Sequence, residues 1–241
     1  MTAAVRLAVL IDADNASASV VDELLREVAK YGIASIKRVY GDWTTQNLVG
    51  WKEHLHRHAI QPIQQFAYTS KKNSTDASLI IDAMDLLYAD TVDGFCLVSS
   101  DSDFTRLATR LREAGKVVYG LGEQKTPKAF QAACDRFIFF EVLKSQPSGA
   151  GERDPSSVAP DLRSAFERAL AAKSRDGGWA TLSAVGAYRG QDDPSFDTRL
   201  HGSAKLGELV RKQPYLEVRE TTDGIGNTHL SVRLREGQLG S

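Results

Sequence analysis

Leu7-Ala8-Val9-Leu10-Ile11 runs straight into Asp12-Ala13-Asp14-Asn15, with no polar residue between the apolar stretch and its acidic end. Five consecutive apolar residues without alternation mark a strand covered on both faces, the habit of a parallel sheet lying between helical layers. In an open α/β sheet ligands bind beyond the carboxyl ends of the strands, which is where Asp12, Asp14 and Asn15 fall. Phe95-Cys96-Leu97-Val98 repeats the pattern and is followed by Ser99-Ser100-Asp101-Ser102-Asp103.

Working outward from these two stretches, strand-like runs at residues 7–11, 35–40, 60–63, 94–98, 117–119 and 137–140 alternate with helix-like segments at 20–31, 48–58, 76–88, 104–114 and 127–133. That alternation predicts an α/β fold whose mostly parallel sheet is sandwiched by helices. Trp51 stands at helical spacing with Leu48 and Leu55 and reads as core. Gly120-Leu121-Gly122 is too short a glycine signal for a nucleotide loop. After Lys144 the chain turns small, polar and proline-rich, so residues 1–144 read as one domain and 145–160 as a flexible linker. Residues 161–236 then carry an amphipathic helix (Leu162, Ala165, Phe166, Ala169, Leu170), helices near 182–188 and 204–212, and strands at 216–220 and 229–234. Three short helices and a hairpin form a winged-helix pattern.

The bulk properties fit two soluble domains: 241 residues, 42% hydrophobic, 25% charged, net charge −1. The near-zero charge removes any general pull toward nucleic acid, so an RNA site must come from a local patch. The two cysteines, Cys96 and Cys134, lie in apolar stretches and read as buried thiols, not as a disulfide or zinc pair. No signal peptide and no membrane-spanning run is visible, so the expectation is a cytoplasmic protein.

The chemistry gathers on one edge. Asp12 and Asp14 follow the first strand, Asp101 and Asp103 the fourth, and Asp76 stands at the start of a helix announced by Ser74 and Thr75. Oxygen-only clusters suit hard cations such as Mg²⁺ or Mn²⁺, and the cation relieves the repulsion between carboxylates. An aspartate between strand and helix is also an ordinary cap, and Asp14, Ser102 and Asp103 fit that role taken singly. Asp12 does not, because a charge at the tip of an all-apolar strand needs a partner. Asp82 and Asp85 do not share one helical face with Asp76 and stand second. Lys71 and Lys72, beside Tyr68, are candidate phosphate contacts or a solvated loop. Arg38, Tyr40, Trp43 and Lys125 could extend that surface, the aromatics offering base stacking.

Taken together, Ala8-Val9-Leu10-Ile11-Asp12-Ala13-Asp14-Asn15, Lys72-Asn73-Ser74-Thr75-Asp76 with Ile80-Ile81-Asp82-Ala83, and Val98-Ser99-Ser100-Asp101-Ser102-Asp103-Phe104 resemble the NYN domain. This is the PIN-like nuclease family that includes the bacterial LabA-type proteins. The resemblance covers residues 5–143 and implies a PIN-like, metal-dependent ribonuclease. By motif it implies Asp12, Asp76 and Asp101 as metal carboxylates, Asp103 as a fourth acidic group, and Asn15 orienting water or phosphate. Residues 161–235 resemble the OST-HTH (LOTUS) winged helix, a module associated with RNA and protein contacts. The carriers are Leu162-Arg163-Ser164-Ala165-Phe166, residues 178–186 and Leu206-Gly207-Glu208-Leu209-Val210. Its charge is near balance, so RNA contact there would come from clustering, for example of Arg189, Arg199, Lys205, Arg211 and Lys212.

The resulting expectation is an endoribonuclease whose Mg²⁺ or Mn²⁺ site hydrolyses RNA to a 5′-phosphate and a 3′-hydroxyl. The second unit would select RNA or a protein partner, with a homodimer left open. Two rivals stand beside it. Asp12-Ala13-Asp14 has the nucleophile-and-acid spacing of the HAD-like aspartyl-phosphate phosphatases, although Asn15-Ala16 departs from their pattern. A non-catalytic RNA-binding adaptor would keep the fold, but the full carboxylate set argues against it.

Overall fold

The computed structural model describes residues 4–66, 74–144, 162–174, 176–222 and 228–235. The chain forms two compact units, residues 1–147 and 148–241, each with its own core. Tyr68, Lys71 and Lys72 and the predicted linker at 145–160 lie outside the described residues.

The first unit is built on a six-stranded sheet whose strands are β1 (Arg6–Asp12), β2 (Ile33–Gly41), β3 (Gln61–Gln64), β4 (Gly94–Val98), β5 (Val117–Gly122) and β6 (Arg136–Phe139). The spatial order is β3-β2-β1-β4-β5-β6 and every neighbouring pair is parallel. β1 and β4 therefore lie side by side at the centre, where the order reverses and a crevice opens at their carboxyl ends. Both are buried along almost their whole length, as their unbroken apolar runs require.

Helices cover both faces. α1 (Val21–Val28), α2 (Trp51–His58) and α6 (Phe140–Lys144) pack over Leu7, Val9 and Ile11 of β1, with Trp51 fully in that core. The even-numbered residues of β1 face the other way, toward α3 (Ser74–Ala89), which packs across β1 and β2. α4 (Thr105–Glu113) and α5 (Lys128–Ala133) complete the unit, joined by a Phe104, Phe130 and Phe137 aromatic cluster.

Differences from the sequence reading are local. The 117–119 run continues through Gly122, so Gly120-Leu121-Gly122 is strand and not loop. The glycines are there for clearance. A Cβ on Gly120 would lie 2.4 Å from the Phe137 ring, and one on Gly122 would lie 2.6 Å from the Ser99 carbonyl. Phe140, read as the end of the last strand, instead opens α6, so β6 stops at Phe139.

In the second unit α7 (Leu162–Lys173), β7 (Ala180–Thr181), α8 (Leu182–Asp192), α9 (Leu206–Arg211), β8 (Leu216–Thr222) and β9 (Thr228–Leu234) form three helices against an antiparallel β7-β9-β8 sheet. Phe166, Leu170, Val185, Leu209 and Val232 are its core. The short β7 closes the sheet beside the hairpin and was not visible as a separate run, because two residues carry no periodicity.

Candidate functional site

The parallel register builds the site. Ile11 of β1 pairs with Val98 of β4, so Ser99 stands beside Asp12 on the α3 face. Asp12 is completely buried. Its Oδ2 accepts hydrogen bonds from Ser99 Oγ at 2.8 Å and Asn15 Nδ2 at 2.8 Å, and its Oδ1 accepts from the Asp14 N–H at 3.0 Å. Burial raises its pKa and these three donors oppose the rise. Ser99 also accepts the Asp101 N–H at 3.1 Å, so one hydroxyl ties the tip of β1 to the loop after β4.

Asp101 caps the short 3-10 turn Ser102–Phe104 by accepting the Asp103 N–H through Oδ1 at 2.9 Å. The cap role read for Ser102 or Asp103 thus belongs to Asp101, and the turn that precedes α1 is capped by Ser17 and not by Asp14. Asp14 instead accepts from Thr75 Oγ1 at 3.1 Å, which fastens the start of α3 to the β1 loop.

Asp76, Asp101 and Asp103 each bring a carboxylate oxygen to within 4.8 Å of the others. The electrostatic signature agrees. Asp76 is pushed up to about 6, first by partial burial and then by the charges of Asp12, Asp101, Asp103 and Asp14, named in order of effect. A cleft of about 420 Å³, lined by Asp14, Asn15, Asn47, Trp51 and Glu123 among others, adjoins this edge.

The other predicted contacts are placed differently. Tyr40 is fully buried, and its hydroxyl donates to Asp82 Oδ2 at 2.8 Å, so its ring is closed to base stacking. Arg38 Nη1 donates to the same oxygen at 2.9 Å, so its guanidinium is turned to α3. Both follow from the pleat: residues 38 and 40 of β2 share the face that α3 covers, and Asp82 is the acceptor waiting there. Trp43 is half-buried and its indole N–H donates to the Ile63 carbonyl at 3.0 Å, binding the end of β2 to β3. Lys125 pairs with Glu123 at 2.7 Å. Asn15 directs its amide at Asp12 and not outward. Ser99 was overlooked as a functional residue; a hydroxyl directly after the second all-apolar strand was the available signal.

In the second unit Arg189 is buried, pairs with Asp192 at 2.8 Å and stacks on Phe196, so it belongs to the core and offers nothing to RNA. Arg199 grips Asp197 through Nε and Nη2, and Lys212 Nζ donates to the Gly202 carbonyl at 2.7 Å. Arg211 pairs with Glu220. A feature not foreseen is Trp179, whose ring lies under the guanidinium groups of Arg219 at 4.3 Å and Arg233 at 4.7 Å.

Comparison with known proteins joins this geometry to a family, for residues 6–143 match the NYN domain. The chain belongs to the NYN domain family. Residues 154–228 match the OST-HTH/LOTUS domain. The NYN domain has the PIN-like nuclease fold, and the OST-HTH domain is an RNA-binding module. No curated protein matches the chain. Among solved structures, a protein of unknown function from Vibrio parahaemolyticus is similar over 57% of this chain and 93% of its own, at 17% identity and a TM-score of 0.48. A protein fragment from Chromobacterium violaceum, solved by solution NMR, is 40% identical over 36% of this chain and 95% of its own, with a TM-score of 0.29. Among the described residues no helix is long and apolar enough to cross a membrane.

Proposed function

We propose that the NYN domain is a metal-dependent ribonuclease and that the OST-HTH domain presents or selects its RNA. The observation that carries this reading is the convergence of Asp76, Asp101 and Asp103 on one point, with Asp76 raised by burial and by its acidic neighbours. Such a cluster repels itself in the absence of a cation, and its all-oxygen donors suit Mg²⁺ or Mn²⁺ better than softer ions. Asp76, Asp101 and Asp103 would hold the ion. When bound, it supplies an activated water and neutralises charge building on the phosphodiester.

The remaining residues position this group. Ser99 fixes Asp101 by accepting its N–H, while Asp12 holds Ser99 in the orientation that makes this possible. Thr75 holds Asp14 against the first turn of α3, the turn that carries Asp76. Asp12, assigned to the metal by motif, has both oxygens engaged by protein donors and serves as the buried anchor of the cluster. The same engagement weighs against the phosphatase reading, which needs Asp12 as an exposed nucleophile.

The test is cleavage of labelled single-stranded and structured RNAs by the full chain with Mn²⁺, Mg²⁺ or EDTA, beside Asp101→Asn. The expected outcome is metal-dependent cutting to 5′-phosphate and 3′-hydroxyl ends, reduced by about 100-fold or more in the variant. A folded, metal-loaded protein that binds RNA and cuts none would overturn the nuclease reading.

A further inference from the structure

The NYN unit carries a second group of ligand-type side chains, on the sheet face opposite the carboxylate cluster. Asp22 stands in the first turn of α1, and His54 and His58 stand four residues apart on α2, so their rings share one helical face. The two imidazoles are nearly parallel, with an interplanar angle of 11° and centroids 6.1 Å apart. Asp22 Oδ1 lies 2.6 Å from His58 Nε2 and 3.5 Å from His54 Nδ1. All three ligand atoms lie within 4.8 Å of one another.

One atom in this group is unexplained by the surrounding protein. Among the described residues His54 Nδ1 is buried and has no hydrogen-bond partner, although it lies 3.5 Å from the Asp22 carboxylate. A buried ring nitrogen without a partner is costly, and a bound ion would satisfy it. The neighbouring cations leave room for one. Arg57 approaches the other carboxylate oxygen, Oδ2, at 3.6 Å, and Lys37 donates to the His58 backbone carbonyl and not to its ring.

We infer that Asp22, His54 and His58 form a zinc site that staples α1 to α2. Two imidazole nitrogens and one carboxylate oxygen are a borderline donor set that suits Zn²⁺ and does not suit Mg²⁺. A tetrahedral ion about 2.0 Å from each donor holds the donors about 3.3 Å apart. The Asp22–His54 separation of 3.5 Å has to close by about 0.2 Å, and the 2.6 Å Asp22–His58 contact has to open by about 0.7 Å when the ion replaces the shared proton. The side chains of His54, Asp22 and His58 keep 20%, 37% and 23% of their surface exposed, which leaves a fourth position for water. Trp51, on the same helix, lines the cleft beside the carboxylate edge, so the staple braces one wall of that cleft.

The experiment uses the full chain carrying Asp76→Asn and Asp101→Asn, which removes the carboxylate cluster as a competing zinc site. After equilibrium dialysis against Zn²⁺, the expected result is one zinc retained per chain and a Tm raised by about 5–10 °C at a hundredfold excess over Kd. His54→Ala and His58→Ala should lose both, and Co²⁺ substituted for zinc should give the visible spectrum of a four-coordinate site that vanishes in those variants. Asp22→Asn keeps a hydrogen-bond acceptor for His58 while removing the charge, so it reads the site even where an alanine variant fails to fold. No zinc retained by the parent variant, or equal retention after Asp22→Asn, would overturn the inference. The result is independent of whether the protein cuts RNA.

Discussion

Replacing Asp76 with asparagine should stabilise the metal-free protein while abolishing its response to metal. The displacement of the Asp76 carboxyl from its ordinary 3.8 to about 6 means that ionising it in the fold is disfavoured by burial and by four neighbouring carboxylates. Taken at face value this is about 3 kcal/mol at neutral pH. The site is open to solvent, and screening reduces the figure to about 1–2 kcal/mol. Asp76 also sits in the first turn of α3, where a negative charge gains about 0.3–1 kcal/mol from the helix dipole, so the variant gives some of its advantage back. Repulsion still wins. The sign follows from the raised pKa: the folded state binds this proton more tightly than the unfolded one, which favours folding fully below 3.8 and progressively less up to about 6. The net gain is about 0.5–1.5 kcal/mol, so in EDTA Asp76→Asn should raise Tm by about 1–5 °C at pH 7.5, and the gap should narrow as pH falls toward 4. Adding Mn²⁺ should reverse the order, stabilising the native chain and leaving the variant unmoved. A variant less stable than the native chain in EDTA, or equal stabilisation of both by Mn²⁺, would refute the reasoning.

Gly122→Ala should destabilise the NYN unit by about 1–3 kcal/mol, because its Cβ meets the Ser99 carbonyl and the Thr126 hydroxyl. Denaturant titration measures the loss, and RNA cleavage should fall with it as Ser99 is pushed. Asp82→Ala should cost about 2–4 kcal/mol by stranding the Tyr40 hydroxyl and the Arg38 guanidinium under α3, whereas Asp82→Asn, which keeps an acceptor, should cost less. Equal unfolding midpoints for the two variants would show that the acceptor is not what Arg38 and Tyr40 need.

The carboxylate cluster was legible because its position depends only on where apolar runs stop. A strand that is apolar on both faces must be central, and whatever follows it stands at the carboxyl edge; Asp12 and Asp101 need no further information than that. The contacts between elements were not legible. Arg38 and Tyr40 look like surface groups until β2 is placed beside β1 and α3 is laid over them, at which point Asp82 becomes their partner. Arg189 likewise has the look of an exposed helical cation, yet Asp192, three residues on, lets it turn into the core and lie on Phe196. Phe140, read as strand, shows the opposite failure, and residues 141–144 were given no element at all. Phe-Glu-Val-Leu-Lys prolongs the apolar character of β6, and nothing local says that the chain leaves the sheet there to cover β1 from the far side.

The way Asp12 is satisfied bears on the metal reading proposed for the cluster. A buried carboxylate is most simply stabilised by an arginine or lysine, but its three donors among the described residues are a backbone N–H, an amide and a hydroxyl, all neutral. Neutral donors make the buried anion tolerable without cancelling its charge, so its field still reaches Asp76, where it is the largest of the acidic influences. Had Asp12 been paired with a cation, Asp76 would feel little of it, and the outer carboxylates would hold a divalent ion less tightly. On that reading, the charge that these neutral donors leave in place behind the cluster is part of what the outer three aspartates would offer an ion.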